Sequence, residues 1–286
     1  MNEVLITGAS SGIGYALTES FLQRGDTVWA GVRKPETLKA LQEKYPALLN
    51  VLKLDVTSAA DIESAWQTIS SKNSDKKFIL VNNAGVAVGG PIESLPSLEW
   101  KNLFDVNVLG LVAMTQKFLP RLRETQGRIV NIGSISGRIA TPYLAPYCSS
   151  KFAVRAITDS LRREMRSLGV KVILIEPGPI KTPIWEKSIE HSQDLKKHIS
   201  GEQMKIYGPA IEALTSAVED VAKSAVPVSW VTDKVLHAVN AANPKAYYLI
   251  GKGICFQAFL AKHLPVKWLD ALLAMGFRFK KGKAPV

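Results

Sequence analysis

At 286 residues, with 47% of them apolar and 21% charged, the chain has the make-up of one folded α/β domain and not of a disordered segment. Its two cysteines, Cys148 and Cys255, belong to no CxxC or Cys/His cluster, so a disulfide framework and a zinc site are excluded, no metal is expected, and a reducing cytoplasm is the expected compartment. A formal net charge of +11 would suit an acidic partner, yet no basic run interleaved with aromatics offers a nucleic-acid platform. Neither a signal peptide nor a stretch of ~20 apolar residues able to span a bilayer is expected.

In chain order, short β-rich apolar runs alternate with longer stretches of helical period. The predicted strands are Val4–Thr7, Thr27–Val32, Leu49–Asp55, Phe78–Val81, Arg128–Gly133, Val170–Glu176 and Ala246–Ile250. Several are apolar throughout, as expected when helices cover both faces of a parallel sheet. The predicted helices are Ile13–Arg24, Ala60–Ser71, Leu98–Glu124, Ala145–Ser167 and Ser229–Asn240. This alternation implies right-handed crossovers and a single doubly wound domain over 1–253, with seven parallel strands and helices on both faces. Between Thr182 and about Ser229 the rhythm lapses. Residues 183–228 read as one or two loosely packed helices, either a substrate-covering lid or a plain surface excursion.

Thr7-Gly8-Ala9-Ser10-Ser11-Gly12-Ile13-Gly14 lies directly between the first strand and the first helix. Gly8, Gly12 and Gly14 permit a tight turn and close backbone approach. The helix start then offers the N–H groups near Ser10, Ser11 and Ile13, and a partial positive charge, to a pyrophosphate. The second strand ends Val32-Arg33-Lys34 with no Asp or Glu. A carboxylate there would suit an adenosine ribose 2′-hydroxyl, whereas Arg33 can grip a 2′-phosphate, so NADP(H) is the expected cofactor. Solvated loop charge is the plainer reading of Arg33 and Lys34.

Further motifs follow in order. Asp55-Val56 trails the third strand and Asn82-Asn83-Ala84-Gly85 the fourth. Asn107 sits in a helix, Ser134 follows the fifth strand, and Tyr147-Cys148-Ser149-Ser150-Lys151 comes next. Together these residues resemble the short-chain dehydrogenase/reductase family in its TGxxxGxG and YxxxK form, over residues 1 to about 250. The resemblance implies a Rossmann fold. It places Asp55 and Val56 at the adenine, and Asn83, Ala84 and Gly85 beside the adenosine ribose. Pro177, Gly178, Ile180 and Thr182 fall in the family's nicotinamide-side loop. A looser likeness to the 17β-hydroxysteroid and retinol dehydrogenase branch rests on Val32-Arg33-Lys34-Pro35 and Ala246–Gly251. It implies a steroid, retinoid or fatty-chain substrate.

Tyr147 and Lys151 are four residues apart in a helix and so share a face. A neighbouring ammonium favours the phenolate, which is expected to draw the tyrosine below its ordinary pKa near ~10. Tyr147 is then the general acid in carbonyl reduction and the general base in alcohol oxidation. Ser134, at a strand's carboxyl end, can donate to the substrate oxygen as charge develops, or merely cap a turn. By the resemblance, Lys151 also bonds the nicotinamide ribose and Asn107 holds a water that completes a proton relay. His191, His198, His237 and His263 show no metal spacing.

The predicted lid carries Ile184, Trp185, Ile189, Leu195, Ile199, Met204, Ile206 and Tyr207, which suit a lipophilic ketone or alcohol or simply pack the lid down. Segment 254–286 sets Phe256, Phe259, Leu260, Leu264, Trp268, Leu269, Leu272, Leu273, Phe277 and Phe279 beside Lys262, Lys267, Arg278, Lys280, Lys281 and Lys283. Such an amphipathic basic extension can touch a membrane surface, a partner subunit or the substrate mouth. A homodimer or homotetramer through Leu98–Glu124 and Ala145–Ser167 is implied by the resemblance. A 3-oxoacyl reductase and a non-catalytic NADP(H) sensor or scaffold are the competing readings.

Overall fold

The computed structural model describes residues 1–72, 74–183 and 200–276. Seven strands, β1 (Glu3–Thr7), β2 (Thr27–Val32), β3 (Leu49–Lys53), β4 (Phe78–Asn82), β5 (Arg128–Ile132), β6 (Lys171–Pro177) and β7 (Tyr247–Ile250), form one sheet. Their order is β3-β2-β1-β4-β5-β6-β7, and every neighbouring pair is parallel. The winding direction reverses between β1 and β4, and a crevice opens at that switch beyond the strands' carboxyl ends.

Strand side chains alternate between two cores. Val4, Ile6, Ile79 and Val81 pack with Leu17 and Phe21 of α1 (Gly12–Gln23) and with Val231 and Val235 of α8 (Ser229–Asn240). Leu5, Phe78, Leu80 and Ile129 point the other way, toward α3 (Ala59–Ser70), α5 (Leu111–Glu124) and α6 (Ala145–Glu164). On that side Phe118 stacks on Phe78, and Trp66 meets it edge-on. Both faces being dry explains the unbroken apolar runs of the strands.

The departures from expectation are local. β3 stops at Lys53 instead of Asp55, because the Asp55 carboxylate accepts from both the N–H and the hydroxyl of Thr57 and turns the chain. Between the 3₁₀ turn Pro35–Leu38 and β3 lies α2 (Lys39–Lys44), too short to leave a periodic signature. The expected helix 98–124 is present as α4 (Ser97–Phe104) and α5 joined by one π-helical stretch, Asp105–Gly110. The stretch after Thr182 contains α7 (Gly201–Ser224), opened by a capping box between Ser200 and Gln203. Ile184, Trp185, Ile189, His191, Leu195, His198 and Ile199 lie outside the described residues, as do Phe277, Arg278, Phe279, Lys280, Lys281 and Lys283.

The C-terminal segment folds as α9 (Ile254–His263) and α10 (Val266–Gly276). Ile254 and Ala258 are buried and seat α9 against the end of β7. No described helix is long and apolar enough to cross a membrane.

Candidate active site

The loop after β1 is drawn tightly against the loop after β4. Thr7 Oγ1 accepts from the N–H groups of Asn83 and Ala84, while the Asn83 amide donates to the carbonyls of Thr7 and Gly8. A side chain at Gly14 would stand 2.3 Å from the Gly8 carbonyl oxygen, and one at Gly8 (φ +65°) would meet the Ala84 Cα at 2.9 Å. Ser11 occupies the N-cap of α1 without a side-chain cap, and the first turn holds no acid. The helix start therefore keeps its orphan N–H groups and its positive end for an anion. A pyrophosphate-bearing dinucleotide fits this cradle.

Across the cradle, Thr182 sits 3.3 Å from where a Gly12 side chain would begin, so the loop after β6 reaches over the start of α1. Ile180 is buried and bridges Val226, and the Gly178 N–H donates to the Ile250 carbonyl while Ile254 fills the space above it. Pro177 ends β6. The outer cofactor candidates are plainer in their contacts. Asp55 is engaged in its turn, and Val56 packs against Gly110. Arg33 is exposed at the end of β2, and its guanidinium makes no ion pair or hydrogen bond among the described residues.

The proposed chemical groups meet where β5 ends and α6 begins. The Ser134 hydroxyl accepts from the Ser136 N–H and donates its own hydrogen to the Tyr147 phenol oxygen. Capping and donation therefore coexist. Lys151 Nζ lies 5.7 Å from the Tyr147 ring centre and donates to the Ile132 carbonyl at 3.0 Å. Asn107, in the π-helical stretch, accepts from the Val86 N–H and donates to the Val86 carbonyl and to Ser150, whose hydroxyl in turn donates to the Tyr147 carbonyl. Both ends of the Asn107 amide are thus committed to fixing the loop after β4 and the first turn of α6. Gly85 lies between Asn107 and Lys151.

The electrostatics correct one expectation. Burial pushes the Tyr147 phenol above its ordinary value, outweighing the Ser134 hydrogen bond that draws it down, and the Cys148 thiol adds to the rise. Lys151 does not lower it here. The lysine's own pKa is pulled down to about 8 by burial. Without a further positive charge beside it, the tyrosine is a proton donor at neutral pH.

Residues that sequence reasoning passed over include Thr7, whose place ahead of Gly8 was the available signal. It also passed over an open cavity of ≈ 500 Å³ lined by Pro91, Ile92, Glu93, Pro142, Tyr143 and Tyr207. No motif marks that cavity, because its walls come from three separated segments.

A doubly wound sheet, an anion cradle at its switch point and a serine–tyrosine–lysine corner together define a dinucleotide-dependent oxidoreductase. The chain belongs to the short chain dehydrogenase family, whose profile matches residues 2–193. It is 39% identical over 279 residues to an NADPH-dependent 3-dehydrocapnine reductase of Ornithobacterium rhinotracheale, covering 95% of this chain and 96% of that one. With retinol dehydrogenase 7 of Mus musculus it shares 34% identity over 281 residues, 94% of this chain and 87% of the relative, in keeping with the branch resemblance. A short chain dehydrogenase from Burkholderia cenocepacia J2315, solved in complex with NADP, superposes with a TM-score of 0.73 at 25% identity, over 95% and 97% of the two chains.

Proposed function

We propose that the chain transfers hydride between NADP(H) and a lipophilic ketone or secondary alcohol, with Tyr147 as the proton-transferring group. The observation that carries this reading is the meeting of Ser134, Tyr147 and Lys151 at one corner beside the glycine cradle. The cradle and Arg33 would hold the dinucleotide, which supplies or accepts the hydride when bound. In reduction, Tyr147 gives its proton to the substrate oxygen while Ser134 donates a hydrogen bond to the same atom. Lys151, held by the Ile132 carbonyl beside the Tyr147 ring, would bond the nicotinamide ribose. Asn107 positions the first turn of α6 through Ser150.

Arg33 without a nearby acid supports the phosphorylated cofactor, as do the relatives' names. Tyr147 packs against an apolar cluster of Val88, Leu95 and Leu103, which supports a lipophilic substrate. The direct test follows NADPH absorbance against ketones, aldehydes, 3-oxoacyl thioesters and quinones, with NADH in parallel. Turnover of hydrophobic ketones with a lower KM for NADPH is expected. A protein that binds NADPH yet oxidises it with no carbonyl would be a sensor instead.

Leu109 and Phe152, exposed on the joined α4–α5 helix and on α6, support assembly into a homodimer or homotetramer through those helices. The outer side of α9 and α10 exposes Phe256, Phe259, Trp268 and Met275 beside Lys262 and Lys267, with Asp270 as the one acid of that pair of helices. That face is read as resting on an anionic lipid surface.

A further inference from the structure

The cavity outside the serine–tyrosine–lysine corner has walls of unusual make-up for so basic a chain. Among the described residues Glu93 is its one charged lining residue; Tyr143 and Tyr207 supply two aromatic rings, and Pro91, Ile92 and Pro142 the apolar remainder. We propose that this cavity is a cation subsite, in which Glu93 and the two tyrosines receive an ammonium group carried by the carbonyl substrate. The inference rests on the oxidoreductase reading above and names a substrate class within it.

Three features of the geometry argue for a built site. First, Tyr207 of α7 donates to Glu93 Oε2 at 2.6 Å, while Oε1 has no partner among the described residues. The hydrogen bond to Glu93 pushes the Tyr207 phenol up, so it remains a donor through the neutral range and fixes the carboxylate without neutralising it. Second, Tyr143 adopts φ +62°, a left-handed conformation that is an outlier for a bulky residue. Its carbonyl accepts from the Gly90 N–H at 2.7 Å, which clamps the turn before α6 to the loop after β4 and holds the tyrosine in the cavity wall. Third, the cavity is next to the reacting corner, since Tyr143 and Leu144 lead directly into Tyr147 and Leu144 lies over Gly89.

A carboxylate that shares a cavity with aromatic rings attracts an ammonium through both charge and ring quadrupoles. The same lining repels an anionic group, and among the described residues no lysine or arginine borders the cavity to reverse that. Lys205, two residues from Tyr207, is exposed and does not line it. Because Glu93 is itself exposed, its attraction is screened, and the preference for a cation should be on the order of 10-fold rather than thousands.

The test uses two ketones of equal length, 3-aminopropiophenone and butyrophenone, reduced by the full chain with NADPH. The wild type should show about a 10-fold higher kcat/KM for the amine, through KM. Glu93→Gln should remove that gap and leave butyrophenone unchanged, and Tyr207→Phe should narrow it. Equal use of both ketones by the wild type, or an equal loss on both with Glu93→Gln, overturns the proposal. Calorimetric titration of the NADPH-loaded protein with n-octylammonium, n-octanol and n-octyl sulfate decides the matter even if neither ketone is turned over. Tighter octylammonium binding that Glu93→Gln abolishes supports the subsite; indifference to charge, or preference for the sulfate, refutes it. If no carbonyl is reduced at all while octylammonium still binds through Glu93, the oxidoreductase reading fails and the subsite stands.

Discussion

The corner built from the loops after β1, β4 and β5 and the outer shell built from α7, α9 and α10 obey different rules. In the corner, polar groups are buried or half-buried and spoken for. Thr7, Asn83, Asn107, Ser134, Ser150 and Lys151 each hold a neighbour through a hydrogen bond, and Gly14 has no room for a single carbon more. In the outer shell, large apolar side chains stand in the open, with Phe256 at 64% exposure and Trp268 at 71%. The corner holds its groups by hydrogen bonds and close contacts, as positioning for proton transfer requires. The shell supplies only surface, which many residues could supply.

The contrast is broken most severely at the tyrosine. Tyr147→Phe removes one oxygen from the corner but keeps the ring that packs with Leu95 and Leu103. NADPH-dependent turnover should fall by roughly 10²–10⁴-fold, the usual share of a general acid, while NADPH binding followed by fluorescence and the melting temperature persist. Retained turnover would end the assignment.

A smaller effect comes from the buried lysine. Its pKa of about 8 in the fold lies below its ordinary value of 10.5. Between those two values the unfolded chain binds the extra proton, so stability should rise as pH climbs from about 8 to 10.5, and the contribution should be lost as pH falls through 8. Lys151→Met lacks this term. Urea unfolding of the cofactor-free protein at pH 7 and pH 9.5 should show wild type gaining about 2 kcal/mol on the variant across that interval. Parallel behaviour of the two proteins would mean that the ammonium is not desolvated.

The same division explains what was legible in the residues alone. Strands β1, β4 and β5 were visible because each is dry on both faces, and Thr27–Val32 and Ser229–Asn240 match to the residue. The glycine cradle was visible because a contact of 2.3 Å admits one residue type only. The direction of the Tyr147 shift was misread, since spacing reports a neighbour's charge but not how far burial opposes it. Tyr207 was expected in the lid, but Glu93 and Tyr143 gave no sign, being brought to it from separate segments that no local pattern connects. α7 escaped as a single helix because Pro209 lies within it and interrupts the expected helical signal.

The smallest effect sharpens the comparison from the other side. Replacing Phe256 and Trp268 together by Ser removes two large apolar side chains, which in the core would cost several kcal/mol; Phe118→Ala, at 0% exposure, should cost about 3–5 kcal/mol. On an uncovered face each change should stay within about 0.5 kcal/mol in urea unfolding, leaving ketone reduction unaltered. Pelleting with phosphatidylserine vesicles should nevertheless weaken, because aromatic side chains enter the interface while Lys262 and Lys267 meet the headgroups. A drop in stability above 2 kcal/mol, with a shift to a smaller species on gel filtration, would instead mean that a second copy covers this face. Unchanged pelleting with unchanged stability would leave the aromatic residues without a lipid role and move the attraction to charge alone.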